Sequence, residues 1–336
     1  MSTGVASGAR CAVATAAACW AILGACERDE AASEEVATRS SERVLVDPPE
    51  TAVAYLGAVP WGLANPMRLA VSAEEDHVYV MDFGAPLVRQ FTLEGDFIRD
   101  YGTGEGQGPG EFLSLSDFEV DATGRVWTLD PAQGRIQVFD QAAELVETIR
   151  VPGNATAFEL TPDDDVVLMV LDSLLFRRVT RSGTVVNDFG RVADDQGFES
   201  AIALWGFVDA NASSIFYSGA YGGFLGRWSA DDGARRYLGS TIVEQPFPTP
   251  VSQDGAFMIA PEDRIGASFG LVARRDTVYV LAHGEGTYLV DVYEAERGQY
   301  QYSIPIPTPS VTAISVTRDH LVVAADTLVT VWSRSD

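Results

Sequence analysis

Residues 118–140 read FEVDATGRVWTLDPAQGRIQVFD. Three short runs rich in β-branched and aromatic side chains are separated by DATG and PAQG. Asp, Gly and Pro clusters of this kind mark tight turns, and the runs between them read as strands. The stretch is therefore three consecutive strands joined by turns.

The same pattern recurs on both sides of it. The middle run returns as HVYVMD at 77–82, TVYVLA at 277–282 and HLVVAAD at 320–326. The third returns as LVRQFT at 87–92, LLFRRVT at 174–180, TYLVDVY at 287–293 and LVTVWS at 328–333. A fourth run often ends in Gly, as in DFIRDYG to Gly102, TVVNDFG to Gly190 and ARRYLG to Gly239. Six such units span 63–103, 111–151, 155–191, 204–240, 266–306 and 309–336. Four short strands repeating every ~40–50 residues are the signature of propeller blades. Long amphipathic helical patterns are absent, which disfavours βαβ folds. The expected fold is all-β: a six-bladed β-propeller with four antiparallel strands per blade. The last unit stops after its third strand, at LVTVWS. TAVAYLG at 51–57 resembles the outer-strand endings YLG and DYG. It is expected to complete the last blade and so close the ring, hiding the edges an open sheet would expose.

Within 104–140, the pieces GPGEF, VDATGRVWTLD and RIQVFD resemble one full NHL repeat. The resemblance implies a six-bladed NHL-like propeller. This second unit carries it most fully, and units three to six lack the GxGxF opening.

The N-terminus reads as an address. Arg10 is followed by an uncharged run from Cys11 to Ala25. The run has the length of a signal h-region and is short for a membrane span of ~20 residues. It ends in Leu23-Gly24-Ala25-Cys26, which resembles the lipobox of bacterial lipoproteins. The resemblance implies cleavage before Cys26 and its lipidation. The only other cysteines, Cys11 and Cys19, lie upstream, so a cleaved chain could form no internal disulfide. Residues 1–25 are thus expected to be a lipoprotein signal peptide and 26–50 an acidic flexible tether, with the propeller at 51–336. The 24 residues after Cys26 hold eight acidic and three basic side chains and would span roughly 25–30 Å as a coil. Glu27 follows the Cys, and by analogy with bacterial retention signals this favours the outer membrane.

Of 336 residues, 48 are acidic and 23 basic, a formal net charge of −25. Every basic residue is Arg, which removes Schiff-base and P-loop lysine chemistry. Such an acidic chain has no phosphate-tracking surface, so nucleic acid is not an expected partner.

Several motifs resemble catalytic or binding signatures. Gly266-Ala267-Ser268-Phe269-Gly270 matches GxSxG, but a nucleophile elbow needs a strand before it and a helix after it, and strand-like residues follow instead. The Gly-rich run 102–110 lacks the dinucleotide spacing and reads as a flexible connection between blades. His77 and His320 start second strands while His283 follows the end of one, so they do not converge on a zinc site. Second strands end in Asp82, Asp130, Asp172 and Asp326, on one face of a propeller. They are either an acidic rim for a cation or basic ligand, or caps of their own turns. Asn65 and Asn154 precede inner strands but do not make up a ligand set for a metal.

The longest departures from the repeat are 191–204, 218–224 and 240–265, all on the face of the fourth-to-first connections. They carry Phe198, Tyr221, Phe247, Phe257 and Met258, with Trp205 beside an inner strand. Aromatic and Met side chains on long loops suit a binding surface. The expected function is a lipid-anchored envelope module, a monomer without catalysis, cofactor or metal. It would bind a protein, peptide or glycan through Trp205, Tyr221, Phe247 and Phe198, with Asp82 and Asp130 on the same face. The alternative is an envelope hydrolase or lyase, lactonase-like, with a metal in the central channel.

Overall fold

The computed structural model describes residues 43–334, except 50, 58–61, 153, 164, 171, 173, 193–200, 244–249, 254–255, 261–265 and 285. Six four-stranded antiparallel sheets follow one another along the chain. Blade 1 is Pro66–Val71, His77–Asp82, Leu87–Thr92 and Phe97–Tyr101. Blade 2 is Asp117–Val120, Val126–Asp130, Arg135–Phe139 and Leu145–Arg150. Blade 3 is Ala155–Leu160, Val166–Val170, Phe176–Val179 and Val185–Phe189. Blade 4 is Gly206–Asn211, Ser214–Gly219, Phe224–Ser229 and Arg235–Ser240. Blade 5 is Gly270–Arg274, Thr277–Gly284, Thr287–Glu294 and Tyr300–Ile306. Blade 6 is Ala313–Val316, His320–Ala325 and Leu328–Ser333, completed by Ala52–Leu56. Among the described residues the only helical turns are of 3-10 type, at Pro131–Gln133 and Ala201–Leu204.

The first strands of the blades contact one another in order around a ring, with blade 1 touching blade 6. Closure occurs where the sequence places it. Ala52–Leu56 pairs antiparallel with Leu328–Ser333, Leu56 opposite Val329 and Tyr55 opposite Thr330. A shared backbone conformation marks this strand as a true fourth strand. Gly57, Gly102 and Gly190 each follow a fourth strand and adopt φ of 86°, 94° and 90°. Only Gly takes this conformation without strain, which is why these three runs end in it; Gly239 instead lies inside its strand, Arg235–Ser240.

Packing between blades explains the sequence pattern of the second strands. Alternate side chains of a strand point to opposite faces. Val78 and Val80 face blade 6, while Tyr79 and Met81 face blade 2. Both faces are dry, so the strand is apolar throughout and not alternating. Six clusters of buried apolar residues fill the six gaps between neighbouring blades. Each large side chain taken fully from water there contributes about 1.5–3 kcal/mol.

Two connections differ from their sequence reading. The Gly-rich run 102–110 is pinned. Thr103 N donates to Gly110 O at 2.7 Å, Gly110 N to the Gln137 side-chain carbonyl at 2.9 Å, and Arg135 to Gly108 O and Glu111 O at 2.8 and 2.7 Å. Within the stretch read as a tether, residues 44–46 bond along the outer edge of blade 5. Ser303 N donates to Val44 O at 2.8 Å and Val46 N to Ser303 O at 3.0 Å, a parallel pairing. Arg43 clamps this strip with two 2.9 Å bonds to both oxygens of Asp291, a carboxylate buried in the third strand of blade 5.

Candidate functional site

The first strands start on the face where the second-to-third loops also lie. A cavity of about 540 Å³ opens there, at the mouth of the central channel. Met67 and Arg68 line it from blade 1, with Met81 and Phe83 from the end of that blade's second strand. Ser114, Leu115 and Ser116 add the approach to blade 2, Asn154 to Ala157 the start of blade 3, and Trp205 to Phe207 the start of blade 4. The walls are mainly apolar. Phe83 (63% exposed), Trp205 (43%) and Met67 (41%) form a rim that nothing in the described chain covers.

Of the anticipated ligand residues, Trp205 lines this cavity. Tyr221 stands behind it, its ring centroid 5.9 Å from that of Trp205. Ala220 N donates to Trp205 O at 2.9 Å, which ties the 218–224 loop to the rim. Phe198, Phe247 and Cys26 lie outside the described residues. The lining comes from blades 1 to 4 and includes no described residue of 240–265.

Asp82 and Asp130 have a different task from the expected rim. Both are fully buried. Asp82 accepts from the backbone N–H groups of Ala64, Asn65 and Gly84 at 2.9, 2.8 and 3.1 Å. Asp130 accepts from Leu113 N and Ser114 N at 3.0 and 3.2 Å and from the Gln133 amide at 2.6 Å. The end of a second strand lies beside the start of the first. An Asp there captures the amides of the incoming connection, which would otherwise be buried unpaired. Ser268 is likewise structural, its hydroxyl buried and donating to Gly219 O at 2.9 Å. His77 and His320 begin their strands on the opposite face as expected, while His283 falls inside Thr277–Gly284, against Tyr288.

The floor of the cavity is charged, which no catalytic or binding motif in the sequence marks. Arg68 pairs with the fully buried Asp117, Nε to Oδ1 at 2.8 Å. Asp117 also accepts from Phe118 N at 2.9 Å and from Phe158 N of the next blade at 2.8 Å. Asp209 repeats the arrangement, accepting from Ala210 N at 2.6 Å and from Ala273 N of blade 5 at 2.8 Å. Each thus bonds a backbone amide on the inner strand of the following blade. Beneath Arg68, a smaller chamber of about 140 Å³ is lined by Arg68, Glu119 and Asp209, among others. Glu119 and the buried Glu159 share this part of the channel and have no hydrogen-bond partner among the described residues.

Burial and mutual repulsion set the charges here. Burial, reinforced by Asp209 and Asp117, holds Glu119 well above the usual carboxylate range. Burial and the three neighbouring acids do the same to Glu159. Burial pushes Asp209 up to about 7, against its two amides and Arg68. For Arg68, burial opposes the charge, but the four surrounding acids outweigh it and raise the guanidinium. The sequence signal was present in Phe118-Glu119 and Phe158-Glu159, the same dipeptide on two adjacent first strands.

The comparisons agree with this architecture. Residues 69–174 match the model of the family DUF5128, described as a six-bladed β-propeller. Among solved structures, a Bacteroides fragilis protein described as a candidate for export superposes with a TM-score of 0.59 at 11% identity, over 87% of this chain and 99% of its own. An inactivated virginiamycin B lyase from Staphylococcus aureus, with quinupristin, gives 0.51 at 12% identity over 83% and 98%. The Cps50 (Swd1) propeller domain of Myceliophteria thermophila gives 0.54 at 11% over 85% and 100%. At these identities the likeness is one of fold. No curated protein matches the chain.

Proposed function

We propose that this chain is an exported, lipid-anchored propeller of the NHL-like type that binds a ligand at its channel mouth without transforming it. The observation that carries the reading is the apolar cavity of about 540 Å³ with its uncovered rim of Phe83, Trp205 and Met67. Large exposed apolar groups around a concavity mark a binding site. The lining offers Arg68, Ser114, Ser116, Asn154 and Thr156 as polar groups and none of the three histidines, a composition suited to holding a molecule and poor in acid–base catalysts. Titration with 1-N-phenylnaphthylamine, an uncharged fluorophore, tests it. The wild-type chain should bind the probe saturably. Phe83→Ser with Trp205→Ala should weaken binding at least tenfold while leaving the melting temperature within a few degrees, because both side chains are exposed. Equal titration of both proteins would refute the reading.

The second reading, a metal-assisted hydrolase or lyase, rests on the channel acids. Among the described residues, no group of three or more His, Cys, Asp or Glu is arranged to hold a metal ion.

Anchoring rests on Leu23-Gly24-Ala25-Cys26, and Glu27 after the Cys favours the outer membrane. Two or more acyl chains hold a protein stably on a bilayer. Cys26→Ser should leave the protein unprocessed or move it from the membrane to the soluble fraction. An unmodified Cys26, found by mass spectrometry in the mature membrane-bound form, would sink the anchor.

A further inference from the structure

The cavity's unsatisfied polar groups select among ligand chemistries. Ser116 Oγ is buried in the wall without a hydrogen-bond partner. Such groups are rare in folded proteins and call for a partner from outside. Asn154 is exposed on the rim, and its carboxamide bonds no described residue. Arg68 spends its Nε on Asp117, and its two Nη groups make no hydrogen bond to the described chain. Residues bearing a hydroxyl, a carboxamide and a guanidinium thus line one apolar chamber, a set suited to a ligand that both accepts and donates.

Charge then decides what the ligand's polar part can be. Arg68 already answers to Asp117, Glu119, Glu159 and Asp209. A carboxylate or phosphate brought to Arg68 would compete with Asp117, its buried ion-pair partner, for one guanidinium. It would also approach a chain of net charge −25. A cationic group would meet the guanidinium on the floor and find no free carboxylate above it, since Asp82 and Asp130 are occupied by amides. An uncharged amide meets neither obstacle. Its carbonyl accepts from Arg68 or Ser116, and its N–H donates to the Asn154 carbonyl. The walls of Met81, Phe83, Met169, Trp205 and Phe207 suit a flat apolar group beside that amide.

We propose that the channel mouth recognises an uncharged amide carrying an aromatic side chain, as an internal segment of a peptide presents it, and discriminates against free carboxylates and amines. This deepens the binding-module reading and rests on it.

The test uses three probes that share an indole and differ in charge: N-acetyltryptophanamide, N-acetyltryptophan as its carboxylate, and tryptamine as its ammonium. Each is titrated at pH 7 into the full chain, with displacement of 1-N-phenylnaphthylamine as the signal. The amide is expected to bind at least tenfold tighter than either charged probe. Asn154→Leu and Ser116→Ala should each weaken the amide at least threefold and leave tryptamine unchanged. Both sites tolerate the change, since Asn154 is exposed and Ser116 Oγ bonds nothing. A carboxylate or amine bound as tightly as the amide, a preference below tenfold, or variants without effect would overturn the amide assignment and leave the binding site standing. Failure of all three probes, with no saturable binding of the fluorophore, would remove the binding site itself.

Discussion

A chain that starts at residue 60 is expected to lose its cooperative melt and to aggregate. The missing strand, Ala52–Leu56, is the outer strand of blade 6, and no other described segment can replace it. Leu56 is fully buried and Ala54 nearly so, between blades 6 and 1. Burying Leu56 contributes about 2–3 kcal/mol. The ladder to Leu328–Ser333 adds about 1 kcal/mol for each bond. Together these rival the ~5–15 kcal/mol net stability of a whole domain. The truncation also uncovers the edge of LVTVWS, a β-rich and uncharged run of the kind that pairs with other chains. Scanning calorimetry and light scattering check the outcome. Leu56→Ala serves as a milder control, with an expected loss of about 2–5 kcal/mol. A truncated chain that stays monomeric and melts like the full one would show that blade 6 does not depend on its closing strand.

Arg68→Met is expected to destabilise the propeller by about 3–5 kcal/mol at pH 8, because it strands buried Asp117 without its cation. The loss should shrink at pH 5, and the sign follows from the neighbours. Glu119, Glu159 and Asp209 all have native pKa values above those of the unfolded chain. Their contribution is fully present below the ordinary carboxylate range near 4 and is lost as pH rises through the native values, about 7 for Asp209. Groups held low, such as Glu75, Asp121 and Asp188, act in the opposite sense and at lower pH, outside this window. Urea denaturation of wild type, Arg68→Met and Asp209→Asn at pH 5 and pH 8 separates the cases. Wild type should be less stable at pH 8. The gap should widen in Arg68→Met and narrow in Asp209→Asn. Parallel profiles for the three proteins would mean that the channel acids are not coupled to Arg68.

The repeat made the fold readable, while the site lay largely beyond what a repeat encodes. Strands and turns are local, so FEVDATGRVWTLD and its relatives announce four strands per blade wherever they occur. Even the closing strand was readable, because AYLG ends as other fourth strands end. The second-strand Asp residues are legible as a rim or as caps of their own turns, and Asp82 does cap its turn through Gly84 N while both also hold the incoming connection. Their oxygens face the amides of their own connection, which strand adjacency settles and sequence order hides. Trp205 was found because it interrupts the repeat beside an inner strand. Phe83 was missed because a residue after a second strand reads as turn. Arg68, Asp117, Glu119, Glu159 and Asp209 were missed for a different reason. Each looks like the polar half of an ordinary alternation on its own strand. Only closure of the ring turns residues 141 positions apart into neighbours around one axis.

The strip at 43–46 gives the domain a point of mechanical attachment. Tension arriving from the N-terminal side first meets Arg43 and the pairing of Val44 and Val46 with Ser303. Those bonds lie along a strand edge and share the load side by side, and the two-pronged grip on Asp291 must also yield. The closing strand at 52–56 lies downstream of this grip, so it is shielded from the pull. A ring held shut by one strand would otherwise be unzipped by any tug on the chain that leads into it. Blade 5, whose own four strands are continuous in sequence, takes the strain in place of blade 6, the one blade that is stitched from both ends of the fold.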